Sequence, residues 1–119
     1  MATIVVAEDD ELTRYLLKLS LEETNHEVKA VTNGREAIQL IIMEKPAVIV
    51  LDLMMPGVNG GEVITQVRDT PELADTPIIV VTGTAQPKTI AGTEQADLIL
   101  RKPIPIDTLI AEIRKFLDD

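Results

Sequence analysis

The chain has 119 residues, no cysteine, one tyrosine (Tyr15), one phenylalanine (Phe116) and a formal net charge of −9. That length fits a single domain, 1–119, with a sizeable core, while the acidic balance disfavours direct contact with nucleic acid or a membrane surface. Disulfides and thiolate metal sites are excluded, aromatic stacking platforms are poorly supplied, and no apolar run suits a signal peptide or a membrane span, so a cytoplasmic protein is expected.

Thr3 to Ala7 is an unbroken apolar run, which reads as a parallel strand buried on both faces. Glu8, Asp9 and Asp10 follow it. Leu12, Tyr15, Leu16 and Leu19, with Leu17 beside them, form an apolar stripe at helical spacing, and Asp10 stands where an N-cap belongs. His26 to Val31 alternates polar and apolar residues, as an exposed edge strand does. Ala37, Ile38, Ile41 and Ile42 mark a second helix after Asn33-Gly34. Ala47 to Leu51 is another two-sided strand and stops at Asp52; beyond the Met55-Pro56-Gly57 turn, Val63, Ile64 and Val67 mark a third helix. Pro77 to Val81 runs into Thr82. The segment 85–96 is the least regular, because Pro87 can begin a helix whereas Thr89, Gly92 and Thr93 weaken one. Leu98 to Arg101 then meets Lys102-Pro103, and Ile106, Leu109, Ile110, Ile113, Phe116 and Leu117 give the last helix. This alternation predicts an α/β, doubly wound parallel sheet of five strands and five helices joined by right-handed crossovers.

Ligands of open α/β sheets sit outside the carboxyl ends of the strands. At those ends stand carboxylates (Glu8, Asp9, Asp52), a hydroxyl (Thr82) and an ammonium (Lys102), groups suited to phosphate or metal chemistry. Together with the run Asp52-Leu53-Met54-Met55-Pro56-Gly57, their order and spacing resemble the receiver domain of bacterial two-component response regulators, the chemotaxis regulators among them. The resemblance covers the whole chain. It implies a flavodoxin-like sheet of order 2-1-3-4-5 and a phosphoacceptor signalling switch, in which a sensor histidine kinase or a small phosphodonor phosphorylates Asp52 with the help of Mg²⁺. Asp9 would then hold the metal directly, Glu8 through water, and Asp52 and the Met54 carbonyl would complete the protein ligands. Thr82 and Lys102 would contact the phosphoryl group. The implied partners are the kinase and either a downstream effector protein or a fused output domain, and the only reactions catalysed would be the domain's own phosphorylation and dephosphorylation.

Each of these residues has a plainer role beside the functional one. Acids at a helix start cap it and favour its positive end, which suits Asp10 best. Asp52 follows five apolar residues, where a carboxylate is costly without a partner, although it also suits a loop cap. Thr82 fits a strand by its β-branching, Lys102 fits a solvated turn, and His26 has no other histidine or cysteine with which to share a metal.

The chain also departs from the receiver pattern. Ile99 stands where many receivers carry a switching aromatic ring, the stretch from Thr82 to Lys102 is short, and a glycine common before the fifth strand is missing near Gln95-Ala96. These departures point to output through ordering of 85–96. Two alternatives to the switch are a pseudo-receiver that binds partners without phosphorylation and a Mg²⁺-dependent phosphohydrolase of the haloacid dehalogenase type. The latter places a second Asp where this chain has Met54.

Overall fold

The computed structural model describes residues 2–23 and 25–117. Five parallel strands, β1 (Thr3–Ala7), β2 (Glu27–Val31), β3 (Val48–Leu51), β4 (Ile78–Thr82) and β5 (Leu98–Arg101), lie in the order β2-β1-β3-β4-β5. The two-sided burial expected of the apolar runs follows from the alternation of side chains along each strand. Val5, Ile49, Leu51, Ile78 and Val80 join one core layer with Ala37, Ile41, Val63, Ile64 and Val67; Ile4, Val6, Val50, Ile79 and Val81 join the other with Leu17, Leu21, Leu109 and Ile113.

Among the described residues there are four α-helices, α1 (Glu11–Glu22), α2 (Gly34–Glu44), α3 (Gly60–Asp69) and α4 (Ile106–Leu117), and not the five expected. Where the fifth was expected, in 85–96, the chain makes two short 3₁₀ turns, Pro87–Thr89 and Thr93–Gln95. Gly92 lies between them at φ +97, a left-handed conformation that breaks a right-handed helix. Its backbone meets that of α3: a Cβ on Gly61 would run into the Ala91 carbonyl, and one on Gly92 into the Gly61 carbonyl. Glycine at both positions thus lets this segment lie directly on α3, closer than side chains would permit.

Three helices begin on side-chain caps. Asp10, Asn33 and Asn59 accept the backbone N–H of Thr13, Glu36 and Glu62 at 2.9, 2.9 and 3.0 Å, each satisfying a donor that the helix cannot. The phase of α1 differs from the expected stripe: Leu17 and Leu21 enter the core, whereas Leu12 and Tyr15 remain 66% and 59% exposed and Leu16 and Leu19 are also exposed. The helix has two apolar stripes, and only one faces the sheet.

At the β2 edge Lys29 pairs with Glu44 at 3.1 Å and with Glu27 at 3.5 Å. His26 lies just before the strand and is half-buried, not exposed on it; its Nδ1 accepts the Ala2 N–H at 3.0 Å. At the amino end of the sheet, Arg68 of α3 donates to the carbonyls of Ala74, Thr76 and Gln95 and to Asp97, whose carboxylate also accepts the Ile78 N–H.

Candidate functional site

The sheet ladder continues one step past the strands and brings the site residues to one edge. Glu8 N–H donates to Val31 O at 3.1 Å, Asp52 N–H to Ala7 O at 3.0 Å and Lys102 N–H to Thr82 O at 2.8 Å. The ends of β1, β3 and β5 therefore present their next side chain at one edge of the sheet, with Glu8 and Asp52 side by side on neighbouring strands and Lys102 further along. Glu8 (2% exposed) and Asp52 (6%) are buried there, Asp9 is exposed, and Lys102 is half-buried, reaching in along its stem.

Lys102 Nζ bonds Glu8 Oε1 at 2.8 Å and Asp52 Oδ2 at 3.1 Å. The second oxygens are held as well: Glu8 Oε2 accepts the Asp10 N–H at 3.1 Å, and Asp52 Oδ1 accepts the Met54 N–H at 3.0 Å. Asp52 thus has the partner that its apolar approach demanded. Burial raises the pKa of Glu8 above the ordinary carboxylate value, against the lowering effect of the Lys102 bond. Lys102 is also raised: burial alone would lower it, and its bonds to Glu8 and Asp52 outweigh that effect. The Glu8 shift thus reflects burial and the Lys102 shift its two carboxylate partners; two carboxylates sharing one ammonium leave a negative charge that favours an additional cation.

Oxygens of Glu8, Asp9 and Asp52 all lie within 4.8 Å of one another. Hard carboxylate donors on one open side fit Mg²⁺, which binds through one or two carboxylates and keeps several waters. Thr82 ends β4 at the same edge; its side chain is buried and Oγ1 accepts the Thr84 N–H at 3.3 Å. The Met54 side chain is 57% exposed and lines, with Asp9, Pro56, Asn59 and Ile90, a cleft of about 440 Å³ beside the acids. The Lys102–Pro103 peptide is cis.

One residue escaped the sequence reading. Arg14 Nη1 donates to the carbonyls of Glu8 and Asp9 at 3.0 and 3.3 Å. A cation that bonds peptide oxygens leaves no pattern in composition or periodicity.

The profile of the response regulator receiver domain matches residues 4–114. The chain belongs to that family. Response regulator MprA of Mycolicibacterium vanbaalenii is 38% identical over 116 residues, which are 96% of this receiver and 49% of that protein. Transcriptional regulatory protein AfsQ1 of Streptomyces coelicolor is 35% identical over 98% of this receiver and 52% of its own length. The chain thus spans about half the length of these curated relatives. A crystal structure of response regulator TrrA from Thermotoga maritima, in complex with Mg²⁺ and BeF, superimposes with a TM-score of 0.87 at 29% identity, covering 98% of this receiver and 99% of that chain. The receiver is accordingly a signalling domain with an acidic pocket suited to Mg²⁺. Among its described residues no helix is long and apolar enough to cross a membrane.

Proposed function

We propose that residues 1–119 work as one phosphoacceptor switch, with Asp52 as the nucleophile. One observation carries this reading: Lys102 bridges the buried Glu8 and Asp52 at 2.8 and 3.1 Å beside the exposed Asp9. An Asp52 oxygen attacks the phosphorus of a phosphohistidine in the kinase, the P–N bond breaks, and the imidazole leaves; with a small donor the leaving group is its own oxyanion. Lys102 then faces the phosphoryl oxygens, and the Thr82 hydroxyl turns from its own loop toward them, so that both stabilise charge on the transferred group.

Asp9, Asp52, the Met54 carbonyl and, through water, Glu8 would hold Mg²⁺. When bound, Mg²⁺ offsets the negative charge of the incoming group and of the acids. The exposed apolar stripe of α1 is a surface of the kind that a protein partner covers, which supports action through a sensor kinase and an effector or fused output domain.

Intact mass after incubation with Mg²⁺ and a small phosphodonor tests the assignment. One added phosphate that is absent in Asp52→Asn supports it. A wild type that gains none under these conditions fits the pseudo-receiver instead.

A further inference from the structure

Asp10 caps α1 through its side chain, and Glu8 is held through both carboxylate oxygens and its backbone N–H. Asp9, between them, is different. Its carboxylate is exposed and makes no hydrogen bond among the described residues, so its direction depends on the peptide that bears it. That peptide is held by Arg14. The half-buried guanidinium reaches back from the first turns of α1, and its Nη1 donates to the carbonyls of both Glu8 and Asp9. Arg14 therefore bonds to the main chain and not to the carboxylates of the acids.

A positive charge beside a cation site opposes the cation through Coulomb repulsion. Such a charge improves metal binding only if the order it imposes on the ligands outweighs the repulsion. This conflict separates positioning from simple charge compensation. Charge compensation predicts that removing Arg14 tightens the hold on a divalent cation; positioning predicts that removing it loosens the hold.

We infer that Arg14 is a positioning residue for the metal site: by clamping the Glu8 and Asp9 carbonyls it aims the Asp9 carboxylate at the ion. The inference rests on the Mg²⁺-dependent reading above. It assigns to α1 a role in the site beyond carrying its acidic start. Residues that orient metal ligands typically change affinity by about 10- to 100-fold when removed, and a solvent-open site such as this falls at the lower end.

The test is a Mg²⁺ titration of the unphosphorylated protein at constant ionic strength, followed by backbone amide shifts in nitrogen-labelled samples. Arg14→Met keeps an apolar stem and removes the clamp; Lys18→Met removes an exposed charge from the same helix and reports the purely electrostatic effect. The expected result is a Mg²⁺ dissociation constant about tenfold higher in Arg14→Met, with unchanged or tighter binding in Lys18→Met and native melting in both. If Arg14→Met does not fold, Arg14→Gln, which keeps a shorter neutral donor, takes its place in the same comparison.

Binding in the Arg14 variant as tight as in wild type, or tighter, overturns the positioning role while leaving the metal site intact. Wild-type protein that shows no Mg²⁺-dependent shift, or Asp9→Asn that titrates like wild type, overturns the metal assignment as well. The two failures are thus distinguishable.

Discussion

Lys102 Nζ stands closer to Glu8 (2.8 Å) than to Asp52 (3.1 Å), so the deeper carboxylate takes the shorter bond and the lysine is divided between them. Because the folded pKa of Glu8 is raised above the ordinary 4.5, its protonated form favours the fold. That contribution is full below pH 4.5 and is lost as pH rises through the folded value. Lys102, also raised, contributes below about pH 10.5 and loses its contribution above it. Denaturant melts of metal-free wild type and Glu8→Gln across pH 4 to 8 should diverge, the variant becoming relatively more stable as pH rises.

Mg²⁺ should relieve the same charge excess. At 100-fold excess over its dissociation constant a ligand specific for the native state adds about 2.7 kcal/mol, and a thermal melt of the wild type should rise accordingly. Asp9→Asn should lose most of that rise. A wild-type melt indifferent to Mg²⁺ contradicts the site.

Met54 is exposed two residues after the proposed nucleophile, and its thioether offers no strong hydrogen bond to an attacking water. The acyl phosphate should therefore be comparatively long-lived. Loss of phosphate, followed by mass, should be faster in Met54→Asn; equal or slower loss rejects the idea.

Gly61 and Gly92 hold the 85–96 segment backbone to backbone against α3. Gly61→Ala should cost about 1–3 kcal/mol, because the atom that must yield is the main-chain carbonyl of Ala91. In hydrogen exchange the variant should lose protection in residues 87–95 and at the start of α3 together, which would show that the two move as one body.

Arg68 joins α3 to the chain before β4 and before β5 through three carbonyls and Asp97. Removing hydrogen bonds made by a charged donor leaves several acceptors unpaired, so Arg68→Ala should lower stability by about 2–3 kcal/mol. Its phosphorylation by a small donor should be unaffected, since these contacts lie at the opposite end of the sheet.

The strands were legible because burial on both faces leaves an unbroken run of Val and Ile, and the site because such runs end in groups that an apolar sheet tolerates only when paired. The Asp10 cap was equally legible. Two features were not. On α1, Leu12, Tyr15, Leu16 and Leu19 have the same spacing as a core stripe, and periodicity alone cannot choose between two apolar faces; the packing of Leu17 and Leu21 against the sheet decides it. In 85–96, Pro87 and Gly92 indicated weakness without revealing that the segment would settle as two 3₁₀ turns on α3, since that depends on a long-range contact with Gly61.

The outward stripe of α1 has an optical consequence. With no tryptophan, and with Tyr15 as the single tyrosine at 59% exposure, the tyrosine absorbance and emission of the chain come from one ring on that stripe. Tyrosine fluorescence will report the docking of any molecule that covers α1, without a label, and will be nearly blind to events in the Ile- and Val-filled interior.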